Sequence, residues 1–271
     1  MSKPKELAQG RRGLMALLRE AAHGHTLYDV FRDFCEMSAI AVSNSVDLIH
    51  RAEREVRYQE TAKRYKPDVL ALLPKMLGCL VEELEIGMAD VLGQAYMELE
   101  ISNKNTGQFF TPYSLCKMVA EMQIDDSLRE KVKSQGFVTV NEPACGGGAM
   151  VIAMAEAMRN AGIEPQRHMH VVAQDVDPRS VHMTYLQLSL LHIPAVVQCG
   201  NTLTMEVSSV WRTPAHIFGG WDWKLRRRAA ASADATVQIS SDPVPPADIV
   251  KVPDVVLPPA GEQIFLFSEA A

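Results

Sequence analysis

The segment VTVNEPACGGGAM, residues 138–150, predicts the fold of the central part of the chain. Its first residues alternate apolar and polar side chains, as in a strand, and three glycines (146–148) then precede an apolar, helix-forming run. A glycine turn between a strand and a helix lets backbone N–H groups approach a ligand closely. The dinucleotide fingerprint GxGxxG would need a glycine at Val151, so NAD is disfavoured. Taken alone, three glycines that only turn the chain explain the segment equally well.

Strand and helix signals alternate on both sides of this turn. In order they are a strand at 136–144, a helix at 148–162, a strand at 168–177, a helix at 178–193 and a strand at 194–201. This order and spacing predict a parallel, doubly wound α/β sheet of the Rossmann-like kind. Asp175, at the end of the second strand, is placed to accept hydrogen bonds from ribose hydroxyls.

The flanking regions differ from this α/β part. Apolar residues recur at helical spacing along residues 11–100, so residues 1–100 are predicted to be a helical region and residues 101–228 the α/β domain. Residues 229–260 contain six prolines and many Ala, Ser and Asp without periodicity. Residues 229–271 are therefore predicted to be a disordered linker that ends in a peptide motif.

Charge and composition limit the classes of function. The net charge is −6, but six acids and one base after residue 228 account for −5 of it, and the rest of the chain carries only −1. The segment WKLRRR, residues 223–228, is strongly basic. No run approaches 18 apolar residues, so no membrane span is expected. Five dispersed cysteines without a CxxC pair favour a reducing cytoplasm, and the histidines show no metal-ligand spacing, so no metal is expected.

Four short segments resemble a known family. GQFFTP (107–112), NEPACGGGAM (141–150), AQDVD (173–177) and GNTL (200–203) are similar, in this order, to motifs X, I, II and III of the N6-adenine DNA methyltransferases. They resemble in particular the modification subunit of type I restriction–modification systems. The resemblance covers roughly residues 25–205.

The resemblance implies S-adenosylmethionine as the cofactor. Thr111 and Pro112 would line its methionine end, Asp175 would accept from the ribose, and Asn201 would accept from the adenine amino group where the family usually has Asp. Local signals place Thr111 at the N-cap and Pro112 at the first position of a helix whose apolar face carries Leu115, Met118, Val119 and Met122. The motif I residues implied as cofactor contacts are Glu142, Pro143, Ala144, Gly146 and Gly148.

The family's fourth motif, (N/D/S)PP(Y/F/W), does not occur in this sequence. In the family its first side chain and a proline carbonyl accept from the adenine amino group, and its aromatic ring stacks on a flipped base. The best positional substitute is AHIFGGWD, residues 215–222, with Trp221 as the candidate base-stacking residue and Phe218 at the acceptor position, where a phenyl ring cannot accept.

The three tryptophans beside WKLRRR can form a surface that binds nucleic acid, or can close the edge of a shortened sheet. We expect a cofactor-binding relative with impaired or absent catalysis that acts on or near DNA. The alternative is an active adenine-N6 methyltransferase that needs a partner subunit, as in restriction–modification systems.

The chain ends with the apolar pentapeptide QIFLF, residues 263–267. It is similar to the QLxLF peptide that binds the bacterial DNA polymerase sliding clamp, with Gln263, Ile264, Leu266 and Phe267 at the matching positions. Such a peptide inserts its apolar residues into a pocket of the clamp while the glutamine bonds at the rim. The alternative is a strand that folds back over the exposed edge of the sheet.

Overall fold

The computed structural model describes residues 3–102, 110–237 and 263–265, with side chains described for residues 10–99 and 110–231. Helices make up the part that precedes the first strand. Their bounds are α1 Lys3–Ala21, α2 Leu27–Asn44, α3 Arg51–Ala62, α4 Pro67–Leu70, α5 Leu73–Ile86, α6 Val91–Ser102, α7 Tyr113–Met122 and α8 Asp126–Gln135.

The rest is a five-stranded sheet with its helices. The elements are β1 Val138–Glu142, α9 Ala149–Asn160, α10 Pro165–His168, β2 Met169–Asp175, α11 Pro178–Leu190, β3 Ala195–Asn201, β4 Glu206–Arg212, α12 Pro214–Phe218, α13 Trp221–Val237 and β5 Gln263–Phe265. The strand order is β4-β3-β2-β1-β5, antiparallel only between β3 and β4. The parallel pairing of β1, β2 and β3 confirms the predicted α/β fold. The strands carry buried valines and alanines, which suit a sheet that is covered by helices on both faces.

The helical part and the sheet share one hydrophobic core. Buried residues from Leu14 in α1 to Trp211 in β4 form a single cluster. Helix α2 packs on α11 and α1 packs on α5, so the helices from the first hundred residues are layered onto the helices of the sheet. This shared core fixes the beginning of α6 against the glycine turn.

Two elements after β3 differ from expectation. Residues 206–212 form the antiparallel strand β4, and the segment AHIF, which begins the positional substitute for the fourth motif, lies in the short helix α12. Thr213 caps α12 by accepting from the backbone N–H of His216, and Pro214 begins the helix, so the local signals favour a helix there. Helix α13 continues to Val237, past the predicted boundary at 228, because its alanine-rich sequence favours helix. The remainder of the predicted linker, residues 238–262, lies outside the described residues.

Strand β5 lies at the edge of the sheet beside β1. Gln263 is opposite Thr139, Ile264 opposite Val140 and Phe265 opposite Asn141, all in parallel register. This is the alternative arrangement for the terminal pentapeptide, with the tail folded back on the sheet. Leu266 and Phe267 lie outside the described residues.

Helix α7 begins one residue later than expected. Its N-cap is Pro112, no side chain caps it, and so Thr111 is not the cap. The apolar face expected from the sequence is largely exposed, since Leu115, Met118 and Met122 are 44%, 54% and 75% exposed and only Val119 packs against the core. Helix α7 packs against α9. The buried residues of α7 are Cys116 and Ala120, whose small side chains permit a close approach between helices.

The described helices include none with the length and apolar character needed to cross a bilayer.

Candidate functional site

The glycine turn follows β1 at the carboxyl end of the sheet. Gly148 has φ 92°, and a Cβ there would lie 3.1 Å from Thr184 Oγ1, so a larger residue would be strained and crowded. A Cβ on Gly147 would lie 3.0 Å from the Cα of Gly93 in α6. The turn therefore needs glycine both for its backbone conformation and for its contact with the helical region.

Asp175 ends β2 beside this turn. One carboxylate oxygen accepts from the backbone N–H of Gly146 at 2.9 Å, and the other accepts from that of Asp177 at 2.9 Å. An ionised carboxylate has about four acceptor positions, so acceptor capacity remains for a ligand hydroxyl. The structure thus brings Asp175 and the glycine turn together, as the sequence predicted.

Glu142, the last residue of β1, is a buried carboxyl group in the site. The residue is 1% exposed; Oε1 accepts from the backbone N–H of Ala144 at 3.1 Å, while Oε2 is buried without a hydrogen-bond partner among the described residues. Burial raises the pKa of Glu142 to about 7, the Ala144 N–H opposes this, and the nearby negative charge of Asp175 raises it further. An unpaired buried carboxyl oxygen is costly unless a ligand supplies a donor.

A small, partly open cavity lies next to Glu142. Its volume is about 110 Å³, and Phe110, Thr111, Glu142, Gly146 and Met150 are among the residues that line it. The ring of Phe110 covers Gly146, because a Cβ there would lie 3.0 Å from Phe110 Cδ1. Ligand clefts are commonly about 300–1,000 Å³, so this cavity can enclose only one end of a cofactor-sized molecule.

Other predicted residues surround the same edge. Thr202, next to Asn201, donates from Oγ1 to the carbonyl of Pro143 at 2.8 Å. The side-chain oxygen of Asn201 accepts from the backbone N–H of Leu203 at 2.9 Å, which holds it in a local turn. Pro112 is exposed and lines a larger cavity of about 780 Å³ between the helical region and α7. The structure therefore gathers the predicted cofactor residues at one end of the sheet, although Pro112 faces the larger cavity.

Gln187 connects the parts of this site and was missed in the sequence. Its side-chain oxygen accepts from the backbone N–H groups of Val91 and Leu92, at 2.8 and 3.0 Å. Its side-chain nitrogen donates to Asp90 Oδ1 at 2.9 Å and to the carbonyl of Gly147 at 2.8 Å. One fully buried amide thus links α11, the beginning of α6 and the glycine turn. The available signal was a glutamine between Leu186 and Leu188 in a predicted helix, since glutamine is rarely buried without bonded partners.

The base-stacking role expected for Trp221 does not fit its position. Trp221 is 1% exposed, with its ring 5.0 Å from that of Phe137 and 5.2 Å from that of His170. Phe137 precedes β1, so Trp221 lies at the opposite end of that strand from the glycine turn. Five residues of parallel strand span roughly 15 Å, too far for its ring to reach a base at the cofactor edge.

The other large aromatic residues between Trp211 and Trp223 are either buried or exposed. Trp211 is 3% exposed beneath the guanidinium of Arg54, whose carbon lies 4.1 Å from the ring centroid. Trp223 is 62% exposed beside Arg227, and Phe218 is 79% exposed. Two of the three tryptophans, Trp211 and Trp221, are therefore buried in the fold, and only Trp223 is exposed on the surface.

A model of the N-6 DNA methylase family matches residues 88–218, which contain motifs I to III and most of the site just described. This part of the chain is therefore similar to the N-6 DNA methylase family. The matched residues begin at Met88, just before α6, so the methylase segment includes the helix that contacts the glycine turn. Family members use S-adenosylmethionine.

A curated relative agrees with this assignment. The methylase subunit of the type I restriction enzyme MjaIX, from Methanocaldococcus jannaschii, is 30% identical over 104 residues. These residues are 36% of this chain but only 17% of that subunit. The chain thus spans about a sixth of the relative that it matches.

Two solved structures align with the chain at 14% identity. One is described as a class I S-adenosylmethionine-dependent methyltransferase from Listeria monocytogenes, with a TM-score of 0.38 over 70% of this chain and 52% of that one. The other is the methyltransferase subunit of a type I restriction–modification system from Streptococcus thermophilus, with a TM-score of 0.39 over 74% and 59%. These TM-scores are too low to assign the fold. The assignment of the fold therefore depends on the strand order of the sheet. None of these comparisons supports a sliding-clamp role for QIFLF.

Proposed function

We propose that the chain binds S-adenosylmethionine and acts on or near DNA as a member of the adenine-N6 methyltransferase family. The observation that carries the proposal is Glu142, a buried carboxyl group with an unpaired oxygen beside the glycine turn. When bound, the cofactor supplies a methyl group on a positively charged sulfur. Its ammonium group would donate to Glu142, and its ribose hydroxyls would donate to Asp175.

The other predicted residues complete this binding site. The turn from Gly146 to Gly148 would pass beneath the amino acid end, where the absence of side chains leaves room for close approach. Thr111 and Pro112 would contact the methionine end, and Pro143 and Ala144 would extend the floor of the site. Asn201 would face the adenine through its amide, whose oxygen also accepts from the backbone N–H groups of Leu203, at 2.9 Å, and of Thr204, at 3.4 Å, in the local turn.

Catalysis by these 271 residues is proposed to be impaired or absent. The sequence has no (N/D/S)PP(Y/F/W) segment, and the buried position of Trp221 gives no substitute at the cofactor edge. Without an acceptor for the adenine amino group and a ring on which the flipped base stacks, the base is not held for methyl transfer. The alternative remains an active DNA adenine methyltransferase in which a restriction–modification partner subunit supplies these groups.

Calorimetric titration with S-adenosylmethionine tests cofactor binding. We expect binding by the wild-type protein and strong loss in Glu142→Gln, which keeps the shape of the side chain but cannot carry a negative charge. Gly148→Asp should also lose binding, because the aspartate side chain would meet Thr184. Lys133→Gln, on the exposed part of α8, is a matched surface control. Absence of wild-type binding at millimolar cofactor, or wild-type behaviour of Gly148→Asp, would contradict the proposal.

A methylation assay separates the two versions of this function. The purified protein is incubated with labelled cofactor and adenine-containing duplex DNA, alone and with the lysate of a strain that carries a restriction–modification system. We expect no transfer by the protein alone. Transfer that appears only with added subunits favours the alternative, and transfer by the chain alone contradicts impaired catalysis.

A further inference from the structure

A surface cleft of about 470 Å³ lies between α2, α3 and the beginning of α11. Four arginines line it together with an aromatic residue and acidic residues. The arginines are Arg32, Arg57, Arg64 and Arg179. We call it the arginine cleft. Asp177 lines this cleft and is only two residues from Asp175 in the chain. The cleft therefore adjoins the proposed cofactor edge.

Buried carboxylates at the base of the cleft form ion pairs with three of these arginines. Asp33, only 1% exposed, receives a hydrogen bond from Arg32 Nε at 2.8 Å and from the hydroxyl of Tyr65 at 2.8 Å, and it pairs with Arg64 at 3.3 Å. Glu36 pairs with Arg57 Nη2 at 2.5 Å. These contacts orient the guanidinium groups before any ligand arrives, which reduces the entropy lost on binding.

The cleft has more hydrogen-bond donors than its own carboxylates use. In the part of the chain that the structure describes, Arg57 reaches a carboxylate through Nη2 alone and Arg64 through Nη1 alone, so two nitrogens of each remain for a ligand. The side chains of these two arginines are about half exposed, at 53% and 52%. The buried hydroxyl of Tyr28, in the same wall, also lacks a partner among the described residues.

Guanidinium groups with free N–H donors match the planar, bidentate geometry of phosphate oxygens. Lys63 and Lys66, exposed on either side of Arg64 in the sequence, add positive charge at this end of the helical region. The basic segment WKLRRR offers a weaker match, because it lies at the other end of β1 and Arg228 is bonded to Phe137 and Gln135.

We propose that the arginine cleft binds the phosphodiester backbone of DNA and so orients the duplex beside the cofactor edge. The inference rests on the proposed function for the choice of DNA as the polyanion, but not on cofactor binding or catalysis. Arg57 and Arg64 contact phosphate oxygens with their free nitrogens. Arg32 and Arg179, tied more fully to carboxylates, shape the wall.

The test compares two double variants with the same change in charge. Arg57→Gln with Arg64→Gln removes two cleft charges, while each glutamine keeps an amide donor for Glu36 or Asp33. Arg226→Gln with Arg227→Gln removes two exposed charges from α13 and is the matched control. Binding of a short fluorescein-labelled duplex is measured by anisotropy over a series of salt concentrations. Thermal unfolding and calorimetry with S-adenosylmethionine are measured on the same preparations.

We expect the cleft variant to bind DNA about tenfold more weakly, with the slope of log affinity against log salt reduced by roughly two, one for each lost phosphate contact. The α13 control should bind like the wild type, and both should keep wild-type cofactor affinity. Equal DNA affinity in wild type and cleft variant, loss only in the α13 variant, or no DNA binding by the wild type overturns the proposal. Failure of cofactor binding with intact, cleft-dependent DNA binding would instead refute only the cofactor part of the proposed function.

If the cleft variant unfolds early, Arg57→Lys with Arg64→Lys is the second variant. It keeps both charges and the pairs with the carboxylates, but it lacks the planar fork. Weaker DNA binding by this folded variant supports bidentate phosphate contact, and unchanged binding contradicts it.

Discussion

Glu142 is the residue on which the proposed binding of a charged ligand rests. Its pKa of about 7 lies above that of an exposed glutamate, so the folded protein prefers the protonated form. The stability that this group contributes is fully present below the unfolded pKa, near 4.5, and is lost as pH rises through about 7. A cationic ligand favours the ionised form, so it binds better above that pH and displaces a proton.

We therefore expect the affinity for S-adenosylmethionine to increase between about pH 6 and pH 8, with proton release on binding. Calorimetry in buffers of different ionisation enthalpy measures this release. Glu142→Gln should bind weakly and without proton release. Its unfolding free energy should also lack the decrease with rising pH that ionisation of Glu142 causes in the wild type. A wild-type affinity that is flat with pH would show that Glu142 does not meet the charged end of the cofactor.

At the scale of elements, Gln187 holds the beginning of α6 on the glycine turn. Gln187→Leu leaves the N–H groups of Val91 and Leu92 and the carbonyl of Gly147 buried without partners, so we expect unfolding to become easier by about 2–5 kcal/mol. Gln187→Glu can still accept from the two N–H groups, but it cannot donate to Gly147, and its charge faces Asp90.

Chemical denaturation of the variants, with cofactor titration, measures both effects. The glutamate variant should be less harmful at acidic pH, where it can be protonated and can donate. Ser189→Ala, on the same helix, is a control because Ser189 is also buried but bonds neither the beginning of α6 nor the glycine turn among the described residues. Equal stability of Gln187→Leu and Ser189→Ala would contradict the role assigned to the amide.

Helices α12 and α13 are attached to the sheet through two buried histidines. His170 Nε2 lies 2.9 Å from His216 Nδ1, and His216 Nε2 lies 3.1 Å from Asp222 Oδ1. If His216 donates to the carboxylate, its Nδ1 accepts from His170, which fixes both tautomers. Burial lowers the pKa of both rings, helped by Lys224 for His170 and by Arg212 for His216, while Asp222 opposes it for His216.

A lowered histidine pKa contributes stability that is present above the unfolded value of about 6.5 and is lost as pH falls below it. We expect the unfolding free energy to fall between about pH 7 and pH 5, and to fall less in His170→Gln with His216→Gln. Urea denaturation across this range measures the difference, with His23→Gln on the exposed surface as control. A double variant with the wild-type pH profile would exclude these rings as the cause.

At the scale of the whole molecule, β5 covers the edge of β1. Removal of residues 262–271 should speed amide exchange in β1, because the strand loses its pairing with Gln263–Phe265. Removal of residues 266–271 alone keeps β5 and should leave exchange in β1 unchanged. If the two deletions give the same exchange in β1, the edge does not depend on β5.

The sequence by itself determined the glycine turn, Asp175 and the succession from β1 to β3. These depend on local signals, because strand alternation, helix periodicity and the glycine run act within a few residues of one another. The family resemblance, carried by four motifs, then gave the residues that we expect to contact the cofactor, and the structure gathers them at one edge.

Only the tertiary structure decided the buried position of Trp221, the role of Gln187 and the convergence of the arginines from α2, α3, the turn after α3, and α11. Gln187 bonds to Val91, 96 residues away, and Arg54 donates to the carbonyl of Val210, 156 residues away. Such contacts form because separate elements bury their apolar faces in one core, and the polar groups carried into that core must then find partners wherever the packing brings them. No local pattern specifies which distant partner that is.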